Sequence, residues 1–122
     1  MKQVARYLLI VLYVFAGINH FWHASFYYPL IPPFLQQLAY QLNAIVGIAE
    51  ISLGLLMAFA TTRQFAALGI IAMLIVFIPT HIYFIQIGSC VPNGLCVPAW
   101  IGWVRLLIIH PILLAWAWWC RQ

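Results

Sequence analysis

The sequence predicts an all-α integral membrane protein, a single four-helix up-and-down bundle with both termini on the cytoplasmic side. Three observations carry that prediction. Of 122 residues, 67% are hydrophobic and 5% are charged, whereas a soluble domain carries about 25% charged residues. The apolar residues gather into four long runs, and about 20 such residues cross a hydrocarbon core about 30 Å thick. Four of the five cations, Lys2, Arg6, Arg63 and Arg121, flank these runs so that an up-and-down path brings them to one side. An excess of Lys and Arg marks the cytoplasmic side. The same composition excludes a soluble enzyme and a disordered tail. Five scattered cations make no basic stripe, so the expected partner is the lipid bilayer and no nucleic acid.

The expected spans cover residues 4–21, 43–61, 65–87 and 100–119, joined by outer loops at 22–42 and 88–99. The first span has the basic start and small residues, Ala16 and Gly17, of a signal peptide, but its apolar run continues into Asn19, His20 and His23, so a retained helix is expected. The first outer loop is uncharged and crowded with Trp22, Phe26, Tyr27, Tyr28, Phe34 and Tyr40, while Pro29, Pro32 and Pro33 prevent a long regular helix. Its aromatic rings suit the headgroup level, as an anchoring belt or as a lid. Spans two and three meet in a tight turn at Thr61-Thr62-Arg63-Gln64. In the second outer loop, Pro92-Asn93-Gly94 has the residues of a tight turn with Gly94 at positive φ, which brings Cys90 and Cys96 together. On the oxidising side they are expected to form a disulfide, as a staple or as a redox-active pair, with Cys120 reduced at the cytoplasmic end.

Ionisable residues at membrane depth are costly and mark candidate sites. Glu50, the only acid, lies seven residues into the second expected span, about 10 Å deep. It shares one helical face with Asn43, Gly47 and Gly54, whose small residues permit close packing. Arg105, His81 and His20 enter the other spans from the same side, so one polar layer is expected in the outer half of the membrane. Arg105 is the expected ion-pair partner of Glu50. Either the pair fixes helix register, or it polarises a ligand and passes a proton. His110 lies five residues beyond Arg105, which at 100° per residue turns it about 140° away. It is therefore expected as a packed or hydrogen-bonded histidine outside the site. No two histidines sit at i, i+4 on one helix, and no metal centre is expected.

These residues carry a resemblance. Phe15-Ala16-Gly17-Ile18-Asn19-His20-Phe21 followed by Ile31-Pro32-Pro33-Phe34-Leu35, then Gly47-Ile48-Ala49-Glu50 with Gly54-Leu55, Thr61-Thr62-Arg63, Pro79-Thr80-His81-Ile82-Tyr83 and Trp103-Val104-Arg105-Leu106, resemble in order and spacing the DoxX family of small membrane proteins. The resemblance spans most of the chain. It implies a four-helix bundle of a bacterial-type inner membrane and a subunit linked to quinone-dependent oxidation or to membrane oxidoreductase complexes. It marks Asn19, His20, Glu50, His81 and Arg105 as a candidate pocket without assigning a catalytic role. Cys90 and Cys96 depart from the family's short, cysteine-free outer loop.

Two classes of function stay open on the sequence. In the first, a redox-linked subunit holds a quinone headgroup, with Arg105 and a histidine donating hydrogen bonds, Glu50 handling protons, and another membrane or periplasmic redox protein as partner. No flavin, haem or iron–sulfur motif is present, so no covalently bound cofactor is expected. In the second, a non-catalytic assembly or chaperone-type subunit uses the polar layer only for packing. A small transporter fits less well, because polar groups in one leaflet provide no continuous path, although a homo-oligomer would change that geometry.

Overall fold

The computed structural model describes all residues from Met1 to Gln122. All the regular elements are helical, with α1 at Lys2–Trp22, a short α2 at Ala24–Tyr27, α3 at Ala39–Leu56, α4 at Arg63–Gln86, α5 at Ala99–Val104 and α6 at His110–Cys120. Two 3₁₀ segments, Tyr28–Leu30 and Pro33–Leu38, lead into α3, and a π-helical turn, Arg105–Ile109, joins α5 to α6. Four continuous stretches, Lys2–Trp22, Pro33–Leu56, Arg63–Gln86 and Ala99–Cys120, are long and apolar enough to cross a membrane.

The second span starts and ends earlier than the 43–61 expected from hydropathy. Pro33 starts a 3₁₀ turn at a position where its missing N–H costs nothing, and the winding continues through Tyr40, Gln41 and Leu42 into the apolar run. At the far end α3 stops at Leu56. The Thr62 hydroxyl donates to the Leu56 carbonyl at 2.7 Å, and Arg63 donates to the carbonyls of Met57 and Ala58 at 3.2 and 3.4 Å. Orphan carbonyls at the helix end are thereby satisfied, so residues 57–62 form the turn and Arg63 opens α4.

Around the bundle, α1 packs along α3, α3 against α4, α4 against α6, and α6 returns to α1. The α1–α3 seam is the closest. A Cβ added to Gly17 would lie 2.6 Å from the Gly47 carbonyl oxygen, and one added to Gly47 would lie 2.7 Å from the Phe21 ring. Two glycines facing each other let the backbones touch, as small residues do between membrane helices. Leu9, Tyr13, Met57, Ile70, Leu74 and Ala117 fill a core toward the end that carries both termini. Leu30, Phe84 and Val91 make a smaller one under the loops. The outward faces carry large exposed apolar residues, among them Val11, Phe15, Ile45, Val76 and Trp119.

The two ends differ in chemistry. Lys2, Arg6, Arg63 and Arg121 share the end with the termini, where Arg6 donates to the Gln122 carbonyl at 2.7 Å and Arg121 lies 3.5 Å over the Trp118 ring. Cys120 is a buried free thiol there. At the opposite end Gln36 donates to the carbonyls of Tyr28 and Ile31 and folds the first loop back on itself. Cys90 and Cys96 form a disulfide. Positive φ in the turn between them falls on Asn93, at 58°, and not on Gly94 as expected; asparagine tolerates the left-handed region, which leaves Gly94 in an ordinary conformation. Serine at both cysteines is expected to cost about 2 kcal/mol, as for closure of a short loop. The check is the unfolding midpoint in detergent: the variant should fall below the oxidised wild type and match the wild type kept under reductant.

Candidate functional site

On α1 the buried face runs through Tyr13, Gly17 and His20, and on α3 through Asn43, Gly47, Glu50 and Gly54. The Gly17–Gly47 contact sets these faces together in antiparallel sense. Side chains on a helix lean toward its own N-terminus, so Glu50 reaches toward the loop end while His20 reaches back from it. The two meet with His20 Nε2 3.4 Å from Glu50 Oε2. Because α3 begins at Ala39, Glu50 lies about 16 Å along the helix, deeper than the 10 Å expected.

Asn43 ties this pair to the backbone. Its Nδ2 donates to the His20 carbonyl at 2.8 Å, and its Oδ1 lies 2.6 Å from His20 Nδ1. Above the imidazole, the Tyr27 ring stacks at 3.8 Å between centroids, and Asn19 Nδ2 donates to the Tyr27 hydroxyl at 2.7 Å. His23 Nδ1 reaches Asn19 Oδ1 at 2.7 Å from the exposed surface. Burial pushes the Tyr27 hydroxyl above the ordinary tyrosine value, against the opposing pull of the Asn19 hydrogen bond.

Glu50 also faces a cavity of about 240 Å³ enclosed by all four long helical stretches. Tyr13 and Glu50 form one side, and His81, Arg105 and His110 the other. Its remaining walls are apolar. Leu12 and Ala16 on α1 face Ile109 and Leu113 across the α1–α6 seam, each pair one helical turn apart. Leu12 is 41% exposed and Ile109 47% exposed, so this wall of the cavity also forms part of the apolar outer face of the bundle.

Two expectations are corrected here. The base within 4 Å of Glu50 is His20, not Arg105. Arg105 enters from the opposite wall, where its guanidinium lies 5.3 Å over the Phe84 ring with no side-chain hydrogen bond in the chain, and the cavity separates it from the carboxyl. The Gly17–Gly47 crossing is what gives His20 the shorter reach. His110, expected to face away from Arg105, lines the same cavity. The His110 backbone N–H bonds to the Arg105 carbonyl, five residues back, so the π turn places residues five apart on one face where a regular helix would separate them. His110 is hydrogen-bonded as expected: its Nε2 donates to the Leu74 carbonyl at 2.6 Å, and its ring meets His81 edge-on at 5.0 Å.

Of the residues marked from sequence, Glu50, His81 and Arg105 line the cavity, His20 backs Glu50, and Asn19 stands outside, bonded to Tyr27 and His23. Tyr13, Tyr27 and His110 were not expected in the site. The spacing of Tyr13, Gly17 and His20 at steps of four and three carries the signal for Tyr13; for His110 the signal is Pro111 beside it, whose missing N–H disturbs the regular ladder one turn back. No three His, Cys, Asp or Glu side chains gather into a cluster.

No curated protein and no solved structure matches the chain. A family model described as a domain of unknown function (DUF8561) matches residues 9–121. That match takes in the cavity-lining residues, the His20–Asn43–Glu50 cluster and the disulfide loop, and the chain accordingly belongs to the DUF8561 family.

Proposed function

We propose that the chain is a multi-pass protein of a bacterial-type inner membrane, with both termini cytoplasmic, whose cavity holds the headgroup of a lipid-phase quinone as part of a redox-linked subunit. One observation carries this reading: the only acid and the one cation remote from the charged end face a single cavity whose α1–α6 wall is apolar and half exposed, which we read as a lateral mouth. A ligand with a polar head and an apolar tail matches such a mouth. The volume suits one substituted ring, since a cavity of about 150 Å³ already takes benzene. The clustering of Lys2, Arg6, Arg63 and Arg121 supports the orientation, and the resemblance of the sequence motifs to those of the DoxX family supports the redox link.

A quinone held there would supply the redox chemistry, with its two electrons coming from a redox partner outside the chain. The chain's own residues bind and orient it. Arg105, without a hydrogen bond of its own, donates to a carbonyl oxygen, and a charge-assisted bond of this kind is the strong sort. Glu50 and His20 keep an exchangeable proton at the cavity wall. Apolar walls from Leu12, Ala16, Ile109 and Leu113 exclude water around the ring.

Native mass spectrometry of the protein extracted gently from its own membrane tests the reading. One quinone per chain is the expected result. A stoichiometric protein partner with no small molecule would favour the assembly reading instead, for which the bonds knitting His20 to Asn43 across the α1–α3 seam speak.

A further inference from the structure

The hydrogen bonds around His20 locate a proton. Asn43 Nδ2 donates to the His20 carbonyl oxygen, which fixes the orientation of the amide, because the reverse orientation would set two oxygens against each other. Asn43 Oδ1 therefore faces His20 Nδ1, and since that oxygen only accepts, Nδ1 carries a hydrogen. In a neutral imidazole the other nitrogen, Nε2, is then a bare acceptor. The nearest carboxylate oxygen to it is Glu50 Oε2, 3.4 Å away, a buried oxygen with no hydrogen-bond partner. A bare nitrogen facing an ionised carboxylate would place two acceptors together in a dry site.

We propose that His20 and Glu50 together hold a single proton, on Nε2 of the imidazole or on the carboxyl, and that Asn43 is the positioning residue that holds the imidazole in the tautomer this requires. The pair is neutral as imidazole with carboxylic acid, or as imidazolium with carboxylate. Both forms contain the same number of protons, and in both the proton on Nδ1 stays with Asn43. Tyr13 on the same helix as His20, Tyr27 above it, and Arg105 and His81 across the cavity are the other titratable groups around the pair. The pair gives up or takes up one proton as a unit, which is what a carbonyl-bearing ligand that is reduced at the cavity needs from its wall. This deepens the quinone reading but does not depend on it, since the shared proton follows from the His20–Asn43–Glu50 geometry alone.

The test is nitrogen and carbon NMR of the protein labelled at histidine and glutamate, held in lipid nanodiscs without added quinone. In the wild type, His20 is expected to show a protonated Nδ1, with either a protonated Glu50 carboxyl or a protonated Nε2. A bare Nδ1, or an ionised Glu50 beside a neutral His20, overturns the proposal whatever the cavity binds. Asn43→Leu is expected to lose the single Nδ1–H signature and show both tautomers. An unchanged tautomer in Asn43→Leu removes Asn43 from the positioning role. Titration of the same wild-type sample with a short-tailed quinone then reads the binding proposal separately, so the two fail independently.

Discussion

Gly17→Ala is expected to lower stability by about 1–3 kcal/mol even though it adds one methyl group and improves helix propensity. The added Cβ would sit 2.6 Å from the Gly47 carbonyl oxygen and 2.9 Å from the Ile51 amide nitrogen. Both are backbone atoms, so no rotamer change relieves the clash and α1 must move off α3. His20 lies one turn beyond Gly17, and the displacement would pull it from Asn43 and Glu50 together. Gly69→Ala is the control: its Cβ meets the tip of the Leu53 side chain at 2.7 Å, a flexible group that can turn aside. Unfolding midpoints in detergent should therefore drop clearly for Gly17→Ala and little for Gly69→Ala. Equal losses would mean that the α1–α3 seam is not the tight contact described.

The second large effect concerns binding without stability. Arg105→Leu is expected to weaken a short-tailed quinone analogue about ten- to hundredfold, the equivalent of losing a hydrogen bond from a charged donor worth about 1.5–3 kcal/mol. The same substitution removes a half-buried cation that makes no ion pair with Glu50, so the unfolding midpoint should hold or rise. Dissociation constants by fluorescence quenching of the native tryptophans, set against midpoints for the same samples, separate the two. A variant that unfolds readily but still binds the analogue would mark Arg105 as a packing residue and sink its role in the cavity.

Much of this architecture is written in the sequence, because its signals are local. Four apolar runs give the four long helices, and the spacing of Asn43, Gly47, Glu50 and Gly54 gives the face that meets α1. The Cys90–Cys96 spacing gives the disulfide. What escaped depends on contacts between helices. Glu50 and Arg105 look like natural partners when one acid stands among few cations, yet which base lies nearest is set by the Gly17–Gly47 crossing and by the opposed lean of side chains on antiparallel helices. The start of α3 escaped for another reason. Tyr40 and Gln41 read as loop by polarity, whereas the turn begun at Pro33 carries them into the helix with their side chains on its outer face.

The wider turn at Arg105–Ile109 amounts to one residue of extra arc in an otherwise regular rod. Everything from His110 to Cys120 inherits its rotation from that single surplus position, including Ala117 and Cys120 in the core at the far end. The spacing between Arg105 and His110 is thus a matter of count more than of side-chain identity. A chain one residue shorter there would wind as a regular helix with these two residues four apart and still on one face, whereas the present count wound without the π turn would part them.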